Sequence, residues 1–144
     1  MSIMKVYLSS TLSPDKRDNM KKAAEIIRNE GFEVYDPSEH IIDHAWDYPN
    51  REWGLMVFQA DIQAIQESDY VVVLSYGRES TAGTNWEAGY AFGLGKKIIL
   101  VEMTDNVMSL LVANGRYATI KGLKGLEEYD WDEMPKSRTK TEQK

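Results

Sequence analysis

Glu87 is the residue best placed for chemistry, within Gly83-Thr84-Asn85-Trp86-Glu87-Ala88-Gly89-Tyr90-Ala91. The run follows an apolar stretch, 70–74, and a polar loop, so the order read is strand, loop, helix with a carboxylate in its first turn. In an open parallel sheet that location is the mouth at the carboxyl ends of the strands, where ligands bind. A carboxylate held ionised beside a helix terminus and aimed into a cleft can serve as a nucleophile. The competing reading is a capping box, Thr84-x-x-Glu87, in which the glutamate bonds back to the cap residue. Asp61 has two readings of the same kind: an exposed acid on an amphipathic helix, or a functional acid at the edge of the buried stripe, next to Ile62. Tyr7, in an apolar first strand, reads as a core aromatic with a satisfied hydroxyl, or as a donor to a catalytic carboxylate if it points to the rim.

Further polar groups surround these three. The hydroxyl runs Ser9-Ser10-Thr11 and Ser80-Thr81 offer donors for sugar or phosphate, although such runs also form turns. Trp46, Tyr48 and Trp53 crowd one long polar segment and either stack on a planar base or pack that segment down. His40 and His44 have i, i+4 spacing but neither an HExxH context nor thiolates, so no metal site is expected. No glycine-rich dinucleotide or triphosphate cradle is present.

The elements that must position these residues alternate between strand and helix periods, the pattern of a parallel sheet flanked by helices. Strands are expected at 5–9, 32–35, 70–75, 97–101 and near 118–120. A first helix, capped by Ser13-Pro14, buries Met20, Ala23, Ala24 and Ile27 and ends at Gly31. A second runs from about 52 to 67 with Leu55, Phe58, Ile62 and Ile65 on its buried stripe, and a third from Asn85 to Leu94. Short helices are expected around 107–112 and 123–129. The simplest assembly is an α/β three-layer sandwich, flavodoxin-like, with a five-stranded parallel sheet in the order 2-1-3-4-5. The loops after strands 1 to 4 then share one rim. A single domain over 1–134 is expected, followed by a polar, lysine-rich tail, 135–144, that reads as disordered.

Bulk properties narrow the function classes. The 144 residues are 42% hydrophobic and 28% charged, with a net charge of −6. That balance argues against a nucleic-acid polymer or an anionic membrane as partner, because phosphate surfaces require a basic face. There is no cysteine, which removes disulfides, thiolate metal sites and cysteine nucleophiles together. The start reads as a strand rather than a signal peptide, and no apolar run approaches the length of a membrane span, so a cytoplasmic protein is expected.

Taken together, these residues resemble the nucleoside 2-deoxyribosyltransferase family, which includes deoxynucleoside 5′-monophosphate N-glycosidases. The likeness runs from the first strand to the region of Asn114. Val6-Tyr7-Leu8 is similar to the strand whose Tyr orients the nucleophile. Trp53 through Gln59-Ala60-Asp61-Ile62-Gln63 is similar to the helix bearing the active-site Asp. The 83–91 element is similar to G-x-x-x-E-x-G-x-A, whose Glu is the covalent nucleophile. Asn106-Val107-Met108-Ser109 resembles the segment that holds the sugar's 5′ end in a neighbouring subunit's site.

The resemblance implies that Glu87 attacks C1′ of a 2′-deoxyribonucleoside, Asp61 relays a proton to or from the base, and Tyr7 holds Glu87 in line. Ser9, Thr11, Trp53, Thr81, Gly83, Asn106, Met108 and Ser109 are then substrate-binding. It further implies no cofactor, a nucleoside or nucleotide and a free nucleobase as partners, and a homodimer or higher oligomer with shared sites. Where the transferases carry an Asp six residues before the nucleophile this chain has Thr81, a hydroxyl residue as in the monophosphate glycosidases. Thr11 and Ser109 resemble phosphate ligands of those hydrolases, whereas Asn106 resembles the transferases' ligand for a free 5′-hydroxyl. The transferase reading is taken. Hydrolysis of a 5′-monophosphate is the alternative, and a nucleotide-binding module without turnover is a third reading, since fold does not fix function.

Overall fold

The structure is a computed structural model, and it describes residues 3–40, 45–80, 82–105 and 110–132. Five strands, β1 (Lys5–Ser9), β2 (Glu33–Tyr35), β3 (Tyr70–Ser75), β4 (Lys97–Glu102) and β5 (Ala118–Lys121), alternate with helices. These are α1 (Arg17–Asn29), α2 (Asn50–Glu67), α3 (Ala82–Gly93), α4 (Leu110–Asn114) and α5 (Gly122–Glu128). The sheet is parallel throughout, in the order β2-β1-β3-β4-β5. This is the flavodoxin-like α/β architecture expected from the strand and helix periods.

Strand alternation sorts the core into two layers. Val6 and Leu8 of β1, Val72 and Leu74 of β3, and Ile99 and Val101 of β4 face α1 and α5, meeting Met20, Ala23, Ile27 and Leu126. Tyr7, Val71, Val73, Ile98 and Leu100 face the other way, against Ala64 and Ile65 of α2 and Ala88 and Ala91 of α3. All of β3 is buried, as befits a strand with neighbours on both edges and helices on both faces. The small residues of α3 allow its close approach to the sheet. Because Tyr7 belongs to the α2–α3 layer, its hydroxyl points toward the helices that carry Asp61 and Glu87.

Three local expectations differ from the structure. Residues 14–16 form a turn, with the Lys16 amide on the Ser13 carbonyl at 2.9 Å, and α1 begins only at Arg17. The apolar stripe of α2 is buried at Ile65, but Leu55 and Phe58 remain 54% and 50% exposed, and Phe58 faces a cavity rather than the core. Helix α3 begins at Ala82, three residues before the expected start, so Thr84 lies buried inside the helix and Glu87 lies in its second turn. Gly31, at φ +97°, does close α1, with its amide on the Arg28 carbonyl. The tail 135–144 lies outside the described residues. Among the described residues no helix is long and apolar enough to cross a membrane.

Candidate active site

The carboxyl end of β1 delivers two hydroxyls to one carboxylate. Tyr7 and Ser9 project from the same face of the strand, two residues apart. The Tyr7 hydroxyl donates to Glu87 Oε2, and Ser9 Oγ donates to Oε1 at 2.8 Å. Both donors are fully buried. The glutamate is thus bonded to the sheet rather than to its own helix terminus, and the capping-box reading falls with the early start of α3.

A second tyrosine–carboxylate pair stands beside the first. Parallel pairing sets Tyr35 of β2 opposite Tyr7 of β1. Their rings stack at 5.6 Å, 12° from parallel, and the Tyr35 hydroxyl donates to Asp61 Oδ1 at 3.4 Å, a long bond. The His40 ring stands 6.2 Å from that of Tyr35, tilted by 36°.

Burial dominates the electrostatics. It raises the Glu87 carboxyl above its ordinary range, the Asp61 charge adds to the rise, and the Tyr7 and Ser9 hydroxyls pull it back. Burial likewise raises Asp61, opposed by the Tyr35 hydroxyl and a charge on His40. Tyr7 is driven far above a normal phenol by burial and then by the neighbouring Glu87 charge. Tyr35 is pushed up to about 12, mainly by burial and secondly by Asp61. Both phenols therefore stay protonated as donors. The arrangement offers one oriented, partly desolvated carboxylate and a second acid whose burial favours its protonated form.

Glu87 and Asp61 share the wall of one cavity of about 550 Å³, a size suited to a small molecule. Ser10 and Leu12 from the β1 exit, Phe58 and Ile62 of α2, and Gly83 and Trp86 of α3 complete most of its lining. Arg17 fixes the β1 exit by donating Nε–H to the Leu12 carbonyl at 3.1 Å.

Of the residues singled out from sequence, Glu87, Asp61, Tyr7, Ser9 and Gly83 come together here. Thr11 is buried just beyond Ser9. Trp53 sits in the first turn of α2, 43% exposed, and is not among the residues lining this cavity. Thr81, Asn106, Met108 and Ser109 lie outside the described residues, as does His44. Among the described residues no cluster of His, Cys, Asp or Glu could hold a metal ion. Sequence reasoning missed Tyr35, and it missed the apolar lining from Leu12, Phe58 and Trp86. The strand order 2-1 carried the signal for Tyr35, since it sets the final tyrosine of the second strand beside that of the first.

The family model for nucleoside 2-deoxyribosyltransferases matches residues 6–132. The chain belongs to this family. Among solved structures, this deoxyribosyltransferase-family chain is similar to a 2-deoxyribosyltransferase from Bacillus psychrosaccharolyticus. The two share 25% identity at a TM-score of 0.79, covering 94% of this chain and 99% of that one. A conserved protein from Enterococcus faecalis shares the fold at 18% identity and a TM-score of 0.67, over 88% of this chain and 99% of the other. A CMP N-glycosidase from Clostridium botulinum shares it at 21% identity and a TM-score of 0.58, over 86% and 96%. No curated protein sequence matches the chain.

Proposed function

We propose that this family member cleaves the N-glycosidic bond of 2′-deoxyribonucleosides and transfers the sugar to a second base. The observation that carries the reading is the Glu87 carboxylate, gripped by Tyr7 and Ser9 on a cavity wall shared with Asp61. Glu87 attacks C1′ through an oxocarbenium-like transition state. The C1′–N bond breaks, its electron pair leaves with the base, and a deoxyribosyl ester forms on Glu87. Asp61 gives its proton to the departing base nitrogen. A ring nitrogen of the incoming base then attacks C1′ as the base's N–H proton passes to Asp61, and the ester bond breaks to return the Glu87 carboxylate. Two displacements retain the anomeric configuration.

The cavity's described lining includes two carboxylates and no basic side chain, which suits a neutral nucleoside better than a phosphate dianion. The structural likeness at 25% identity to a 2-deoxyribosyltransferase supports the same choice. Thr11 and Trp53 belong to the proposed substrate-binding set, as do Thr81, Asn106, Met108 and Ser109, the last three reaching into a neighbour's site within a homo-oligomer.

Product analysis tests the reading. The protein is incubated with a 2′-deoxynucleoside, or with its 5′-monophosphate, with and without a second base. Exchange of bases on the free nucleoside, abolished in Glu87→Ala with the fold intact, is expected. Deoxyribose 5-phosphate as sole product assigns hydrolysis instead. Turnover unchanged in Glu87→Ala overturns the mechanism.

A further inference from the structure

Phe58 and Trp86 are large apolar side chains left half exposed, and both line the cavity that holds Glu87 and Asp61. Their rings meet at 5.7 Å, tilted 57°, and join α2 to α3 in one aromatic wall. Trp86 is braced within its helix: it stacks on Tyr90 at 5.4 Å and 18° from parallel, and the Tyr90 hydroxyl accepts from Gln66 Nε2 at 2.8 Å. A braced, half-exposed ring on the cavity wall costs little entropy to bind against.

We infer that Phe58 and Trp86 form the platform on which the substrate's nucleobase rests. The inference rests on the reading of Glu87 as the group that meets the sugar's anomeric carbon and of Asp61 as the group that meets the base. Phe58 and Asp61 are one turn apart on α2, so their side chains are neighbours on one helical face. Trp86 precedes Glu87 in α3. A base bonded to C1′ and edge-on to Asp61 therefore lies against these two rings. Stacking accepts any planar heterocycle, so the wall supplies affinity with little choice between bases. Discrimination falls to whatever reads the base edge.

Steady-state kinetics with deoxyadenosine and thymidine, on Phe58→Ala, Trp86→Ala and Trp86→Phe, test the platform, with calorimetric titration of adenine and thymine alongside. KM is expected to rise about tenfold in each alanine variant for both nucleosides, the scale of losing one base–aromatic stack. The expected kcat stays within a few-fold, and Trp86→Phe recovers most of the lost affinity. Alanine variants with wild-type KM and wild-type base affinity overturn the platform while leaving the transferase reading standing. So does a KM that is restored simply by raising protein concentration, with sedimentation showing dissociated variants, because the rings then serve assembly. If the wild type binds adenine through these rings yet turns over no nucleoside, the platform stands and the transferase reading alone falls.

Discussion

The rings of Tyr7 and Tyr35 stack 5.6 Å apart, and their hydroxyls reach different carboxylates, Tyr7 to Glu87 and Tyr35 to Asp61. One backbone pairing, β1 with β2 in parallel register, thereby positions the donors for both acids. The two bonds are unequal. Glu87 is gripped by two buried hydroxyls, whereas among the described residues Asp61 accepts one long bond, from Tyr35 at 3.4 Å. A nucleophile must be held still, and a group that passes a proton to a departing base gains from some freedom. The inequality suits that division of labour.

Tyr7→Phe is expected to lower kcat about ten- to hundredfold without unfolding the protein, the scale of one hydrogen bond to a charged group. Phenylalanine fills the same buried volume and keeps the stack on Tyr35. The tyrosine hydroxyl lowers the Glu87 pKa, so its loss raises that pKa further. The ionised, active form then gives way at a higher pH, and the acid limb of kcat/KM moves up. A pH–rate profile beside a circular dichroism spectrum checks both halves.

The sheet was legible in the sequence because its strands are short apolar runs bounded by Gly, Pro and Asp, and alternation with helical periods leaves few topologies. Glu87, Asp61 and Tyr7 were legible as candidates for a different reason: acids and a tyrosine at strand or helix positions near the rim are few. The start of α3 was misread because Thr84-x-x-Glu87 imitates a cap, and a local pattern carries no record that the carboxylate has better partners on β1. For Leu55 and Phe58 the periodicity points to burial because it reports which face is apolar, not whether that face meets the core or a cavity. Tyr35 was overlooked because its role arises from register, a property of two strands together.

The pH profile of kcat/KM is expected to be bell-shaped, with Glu87 needed ionised and Asp61 needed protonated. Burial raises both groups, and the two limbs report the coupled pair rather than either acid alone. Asp61→Asn is expected to cost about a hundredfold or more in kcat, as for loss of a general acid. It also removes the alkaline limb. Because Asp61 is protonated over the range in which Glu87 ionises, its charge is absent there and the surviving acid limb stays close to its wild-type position. An acid limb that moves strongly to lower pH shows Asp61 already charged in that range and contradicts its role as the proton donor.

A change on the opposite layer is expected to affect stability alone. A Cβ at Gly125 of α5 meets Ile120 Cγ2 at 2.7 Å, and the branched, stiff isoleucine cannot yield easily. Gly125→Ala is expected to cost about 1–3 kcal/mol through overpacking. In a thermal melt the midpoint falls by several degrees, while kcat and KM of the folded protein stay at wild-type values. The α1–α5 layer, which holds Ile120, contains none of the cavity's lining residues.

Glu87 itself is expected to cost stability. Its pKa in the folded chain lies above the ordinary 4.5, so folding favours the protonated form. The penalty is absent below the unfolded pKa and grows as pH rises through the folded one. Glu87→Gln removes the charge while keeping an acceptor for Tyr7 and offering an N–H to Ser9 Oγ. At pH 7 this variant is expected to be more stable than wild type by about 0.5–2 kcal/mol, the usual gain from relieving a functional site. Melts repeated down to a pH below 4.5 should show the advantage shrink and vanish. A Glu87→Gln protein less stable than wild type at pH 7 makes the carboxylate a structural anchor of β1 and α3. The tension between burial and charge that keeps it poised for attack is then absent.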